Sequence, residues 1–143
     1  MVVADANLAL ALVIPLPYSL PARELFEAWN ESGKDIVVPA LWGYEIVSGL
    51  RKSVVLGVLT PDEADSALQH IWELEAEQVP ANLDRYQRAM KWAELLDQTV
   101  AYDAQYLVIA EEHGVPFWTA DKKVTKKAKA IGVDWVHWIG ISE

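Results

Sequence analysis

Short runs of β-branched and apolar residues recur along this chain, each followed by a segment of helical length, and that alternation restricts the fold more than any other feature. Met1 to Ala4, Ile36 to Val38, Val115 to Thr119 and Val133 to Trp138 read as buried strands. Gln78-Val79-Pro80 reads as a weak strand or a connection. Strands separated by helices cannot close as hairpins. They pair in parallel, because a parallel pair needs a crossover of a dozen or more residues.

The intervening segments carry helical signals. Leu8 to Ile14 is apolar until Pro15 and Pro17 stop it, and Ala22 to Glu31 places Leu25, Phe26 and Trp29 at helical spacing. Leu41 to about Leu56 repeats the pattern through Trp42, Ile46 and Leu50. Thr60-Pro61-Asp62-Glu63 combines a capping hydroxyl, a proline at the first helical position and a glutamate at the third, so a helix to about Leu74 follows. Further helices are expected over Leu83 to Leu96 and Asp103 to Glu112, the latter ended by Gly114. A basic helix opens at Asp121 and stops at Gly132. The chain of 143 residues, 52% of them hydrophobic, suits one domain over residues 1–143 with a single core.

Composition narrows the chemistry. With no cysteine, a metal has only oxygen or imidazole ligands available. His70, His113 and His137 share no motif, and no phosphate-binding glycine loop, His-Glu-x-x-His or Gly-x-Ser-x-Gly pattern occurs. The seven tryptophans are expected in the core or at a dimer interface. No apolar run reaches membrane-spanning length, and a soluble cytoplasmic protein is the expectation. A net charge of −9 opposes nucleic-acid binding as a whole, yet Lys122, Lys123, Lys126, Lys127 and Lys129 crowd the stretch after Asp121. They read either as a solvated helix face or as a local field for a phosphodiester backbone, to which Lys122, Lys123, Lys126 and Lys127 are assigned.

Four acids stand in apolar settings. Asp5 ends the first strand, Glu45 interrupts Leu41 to Val47, Asp103 opens a helix and Asp121 follows the Val115 to Thr119 strand. Singly, Asp103 and Asp121 are as readily helix N-caps, and Glu45 could pair with Arg51 or face solvent. Asp5 is harder to explain that way, since a buried carboxylate is costly unless paired or coordinated. In a parallel sheet functional groups gather beyond the carboxyl ends of strands, so all four can converge. Together they would repel unless a cation compensates. Mg²⁺, which favours hard oxygen ligands, matches that need.

The blocks Val2-Val3-Ala4-Asp5, Pro39 to Arg51 around Glu45, Ala101 to Leu107 around Asp103, and Thr119-Ala120-Asp121 resemble the PIN domain, in particular the small ribonucleases that act as toxins in VapBC-type toxin–antitoxin pairs. The resemblance spans nearly the whole chain. It implies a three-layer α/β/α PIN-like domain with a mostly parallel sheet of about five strands. It further implies an RNA-cleaving site in which Asp5, Glu45, Asp103 and Asp121 bind Mg²⁺ or Mn²⁺, with Asn7 and Thr119 as supporting polar groups. Partners implied are an RNA substrate, a cognate antitoxin and a second copy in a homodimer, with no membrane. Two positions depart from the usual pattern: Ser48 stands where asparagine is common, and Asn7 where serine or threonine is. Asp5→Asn is expected to remove cleavage and leave the fold intact. Two alternatives stay open, a Mg²⁺-dependent phosphotransfer or phosphatase domain and a catalytically inactive PIN-like binding partner.

Overall fold

The structure, a computed structural model, describes residues 1–140. Its strands are β1 (Val3–Ala4), β2 (Val37–Pro39), β3 (Glu77–Val79), β4 (Phe117–Thr119) and β5 (Val136–Trp138). Every pairing is parallel. β1, β4 and β5 form a three-stranded sheet in that order, while β2 and β3 form a separate pair. A parallel bridge between Val2 and Ile36 joins the two, with the Val37 N–H donating to the Val2 carbonyl at 2.9 Å. The strands thus lie in the row β3-β2-β1-β4-β5, and the stretch around Gln78 is a true edge strand.

The helices are α1 (Ala6–Leu10), α2 (Ser19–Glu31), α3 (Leu41–Val55), α4 (Pro61–Trp72), α5 (Leu83–Leu95), α6 (Tyr102–His113) and α7 (Lys122–Ala130). Two differ clearly from the sequence expectation. α1 starts two residues early because Asp5 caps it, and it ends at Leu10, where the Leu12 and Val13 N–H groups turn to the carbonyls three residues back. α2 starts at Ser19, which leaves Pro21 inside the first turn, where a missing N–H forfeits no intrahelical bond. The Thr60–Glu63 capping box forms as read, with reciprocal bonds of 3.1 and 3.0 Å.

The strand order fixes the layers. From β1 the chain steps to β2 and β3 in one direction, then returns across β1 to β4 and continues to β5 in the other. Right-handed crossovers therefore put α1 to α4 on one face and α5 to α7 on the other. Packing agrees: α3 lies against both α1 and α4, and α5 lies against α6. The direction reverses between β1 and β4, which opens a crevice at their carboxyl ends.

An ion cluster clamps α5 to α6. The Arg85 guanidinium grips Glu112 with two bonds of 3.0 and 2.9 Å, and Arg88 adds a third at 3.3 Å. The paired guanidinium of Arg85 first, then Arg88, hold the Glu112 carboxyl down at about 2. On the opposite face α1 and α3 pack tightly at Gly49, where an added Cβ would lie 2.5 Å from Leu10 Cδ1. α1 follows Asp5 and α3 carries Glu45 in its second turn, so this contact packs together two helices that bear acids. Gly49→Ala should lower stability by about 1–3 kcal/mol through overpacking, which a denaturant melt will read. An unchanged midpoint would show that Leu10 moves aside freely.

Candidate active site

Asp5 ends β1 at the crevice and is the most constrained of the four acids. It is buried, and its carboxylate accepts from the Thr119 hydroxyl at 2.6 Å, the Ala120 N–H at 3.1 Å and the Leu8 N–H at 3.1 Å. Burial still outweighs these donors and raises its pKa to about 6, with the charge of Asp103 adding to the rise. Thr119, fully buried at the end of β4, also accepts from the Asp121 N–H at 3.0 Å. One hydroxyl therefore ties the acid after β1 to the acid after β4.

Asp103 sits in the first turn of α6, half-buried. Desolvation, then the charges of Asp121 and of Glu45, push it up to about 6. Its one side-chain donor among the described residues is the Gln98 amide at 3.4 Å, a weak offset. Glu45, half-buried in the second turn of α3, accepts from the Tyr106 hydroxyl at 2.6 Å. Burial raises its pKa, and the Tyr106 bond opposes the rise. Asp121 is the N-cap of α7, accepting from the Lys123 and Val124 N–H groups at 2.9 and 3.4 Å. Its capping role and its place beside Asp103 coexist, because capping engages one carboxylate oxygen, Oδ1.

The four acids are thus electrostatically joined through Asp103, which feels Asp121 and Glu45 and is felt by Asp5. Among the described residues none of them forms a salt bridge, Arg51 included as a partner for Glu45. A hard dication suits this set: all donors are carboxylate oxygens, and among the described residues no salt bridge offsets the buried charge. No three Asp, Glu or His side chains among the described residues are arranged to hold an ion as they stand. The match is one of charge and donor type rather than a finished cage. Mg²⁺ keeps several waters and is commonly held by one or two carboxylates together with substrate phosphate.

The remaining expected residues divide. Thr119 lies inside the cluster, whereas Asn7 and Ser48 are exposed on α1 and α3 and hydrogen-bond to none of the acids. Of the lysines, Lys123 and Lys126 project from the outer face of α7. Lys122 Nζ lies 4.9 Å from the centre of a Trp138 ring, and Lys127 donates to the Asp97 carbonyl at 3.3 Å. Trp138 pairs in register with Thr119, so Lys122 also belongs to the carboxyl edge of the sheet.

Three residues escaped the sequence reading. Tyr106 touches Glu45, Gln98 touches Asp103, and Tyr18 is close enough to Asp5 for its hydroxyl pKa to be raised by burial and by that charge. Only Tyr106 carried a usable signal, its position three residues after Asp103 on one helical face. Away from the acids, an apolar groove runs between α3 and α4, lined by Trp42, Tyr44, Val47, Ile71 and Trp72.

Known proteins resemble this chain in sequence and in fold. Ribonuclease VapC3 of Pyrobaculum aerophilum is 29% identical over 130 residues, 90% of this chain and 95% of that protein. The crystal structure of PAE2754 from Pyrobaculum aerophilum shares the fold, with a TM-score of 0.65 at 21% identity over 88% of this chain and 78% of that one. The PIN domain model matches residues 2–130, which include all four acids, and the chain belongs to the PIN domain family.

Proposed function

We propose that the protein is an endoribonuclease dependent on Mg²⁺ or Mn²⁺, the toxin of a VapBC-type pair that works in the cytoplasm as a homodimer and is restrained by a cognate antitoxin. The observation that carries this reading is a set of acids at the switch point of a parallel sheet, where Asp103 feels the charges of Asp121 and Glu45 and none of the four forms a salt bridge among the described residues. The name of its relative, a ribonuclease, points to the same chemistry.

Each acid has a distinct part. Asp5, fixed by three donors, is the rigid anchor of the site. Asp103 and Asp121 supply the charge density that draws the ion, and Glu45 completes the set directly or through water. A bound divalent ion lowers the pKa of a water and offsets the charge that builds on the phosphodiester. Lys122, Lys123 and Lys126 hold RNA phosphates beside the acids, and Lys127 joins them once released from Asp97. The apolar groove and the exposed Tyr44, Trp72, Tyr86 and Tyr102 offer surface for the partner chains.

Incubation of the purified protein with mixed RNA tests the chemistry. Cleavage should appear with Mn²⁺, vanish in EDTA and return with excess Mn²⁺; EDTA-resistant cleavage, or none in any condition, rejects the proposal. The lysine assignment has its own measurement. Replacing Lys122, Lys123 and Lys126 by alanine should reduce the slope of log affinity against log salt by about 2, since each single-strand phosphate contact contributes about 0.7. A slope equal to wild type would move the phosphate track elsewhere.

A further inference from the structure

Tyr106 is buried among apolar residues of α6, yet its hydroxyl is used twice. It donates to Glu45 at 2.6 Å and accepts from the Ala6 N–H at 3.3 Å. Ala6 is the first residue of α1 and follows Asp5 directly, while Asp103 lies one turn before Tyr106 on α6. A single hydroxyl thereby links the segments that carry Asp5, Glu45 and Asp103, which come from three separate elements. The ring has little freedom, because it stacks on Phe117 of β4 at 5.5 Å with planes 10° apart.

Glu45 has no other hydrogen-bond partner among the described residues. Its side chain has three rotatable bonds and is partly open to solvent, so without a fixed donor it would sample several rotamers. We propose that Tyr106 is a positioning residue: its hydroxyl holds the Glu45 carboxylate turned toward Asp103, and so sets the affinity of the acidic cluster for a divalent cation. Tyr106 itself touches neither ion nor RNA. One oxygen of Glu45, Oε1, is engaged by the hydroxyl, and the other is left without a hydrogen bond among the described residues. This inference rests on the metal-dependent reading above and goes beyond it by assigning the preorganisation of the site to a buried phenol. Partners of this kind around metal ligands commonly change affinity by about 10–100-fold.

The test is Mn²⁺ binding by calorimetry on wild type, Tyr106→Phe, Glu45→Ala and the double variant, alongside thermal melts. Tyr106→Phe keeps the stacked ring and loses the hydroxyl. It leaves the Ala6 N–H without its partner, so a fall in melting temperature of roughly 5 °C is expected from either a structural or a positioning role. The two roles differ in metal affinity. Positioning predicts that Tyr106→Phe weakens Mn²⁺ binding about ten-fold, and that it has no further effect once Glu45 is alanine. Wild-type affinity in folded Tyr106→Phe overturns the inference and leaves the nuclease reading standing, as does an equal loss in both backgrounds. Failure of wild type to bind Mn²⁺ overturns both. Should Tyr106→Phe not fold, fluorine NMR of 3-fluorotyrosine-labelled wild type replaces it. The resonance moved by Glu45→Gln must also move on adding Mg²⁺, and its indifference to Mg²⁺ overturns the proposal.

Discussion

Asp103→Asn is expected to abolish metal-dependent RNA cleavage, by ~100-fold or more, and at the same time to raise the melting temperature of the protein in EDTA. The two effects share one cause. Asp103 carries a charge that burial and the neighbouring acids Asp121 and Glu45 make unfavourable, and its only side-chain donor among the described residues is distant at 3.4 Å. The amide keeps the shape and removes the charge. After allowance for its partial exposure the gain is about 1 kcal/mol, or roughly 3 °C for a domain of this size. Mg²⁺ should stabilise wild type and leave Asp103→Asn unmoved, because a ligand stabilises only the state that binds it. Paired melts with and without EDTA, with cleavage on the same samples, measure all of this. A variant that melts below wild type in EDTA would show that the crowding of acids is not a source of strain.

Asp5→Asn gives the informative contrast. The sequence suggested that it would silence the site without touching the fold, but both oxygens of Asp5 accept from a total of three donors. An amide offers one acceptor and turns its NH₂ toward a donor. Leaving a buried donor unpaired costs about 1–3 kcal/mol and offsets the relief from removing a buried charge, so Asp5→Asn should lose cleavage and melt close to wild type in EDTA.

The second large effect is on pH. In the metal-free protein, stability should fall as pH rises from about 4 to 7. Asp5 and Asp103 both have folded-state pKa values near 6, above the ordinary 3.8. Acids with raised folded values stabilise fully below the unfolded value, and the contribution is lost as pH climbs through the folded one. For fully buried Asp5 the shift corresponds to on the order of 3 kcal/mol; Asp103, partly solvated, adds less. Glu112 works in the opposite direction but in another window. Its folded value near 2 lies below the usual 4.5, so its stabilisation holds above about 4.5 and fades as pH falls toward 2. Metal-free stability should therefore peak near pH 4 to 5. Excess Mg²⁺ should flatten the slope between pH 5 and 7, and Asp103→Asn should reduce it. A metal-free melting temperature that rises from pH 5 to 7 would contradict the burial of these charges.

Much of the fold was legible because its signals are local. The Thr60–Glu63 box, Gly114 at the end of α6 and the stripe Trp42, Ile46 and Leu50 each act within one or two helical turns, and each formed as read. β3 was ambiguous for a physical reason. Glu77 and Gln78 are exposed on an edge strand that borrows its order from β2, so composition alone carried little strand character. The early starts of α1 and α2 depended on a side-chain cap and on a proline tolerated in a first turn, both decided by where the preceding chain points.

The same division runs through the site. The sequence by itself determined which residues are acids stranded in apolar surroundings, and that these follow strands or open helices. Only the tertiary structure decided how they meet. Thr119 reaches Asp5 across 114 positions and Tyr106 reaches Glu45 across 61, and no periodicity encodes such contacts. The basic helix makes the point in reverse, since the contacts of Lys122 with Trp138 and of Lys127 with Asp97 separate lysines that look alike in sequence. Local patterns set what each segment can become through short-range hydrogen bonds and burial. Strand order, through the reversal between β1 and β4, sets which charges lie at one crevice.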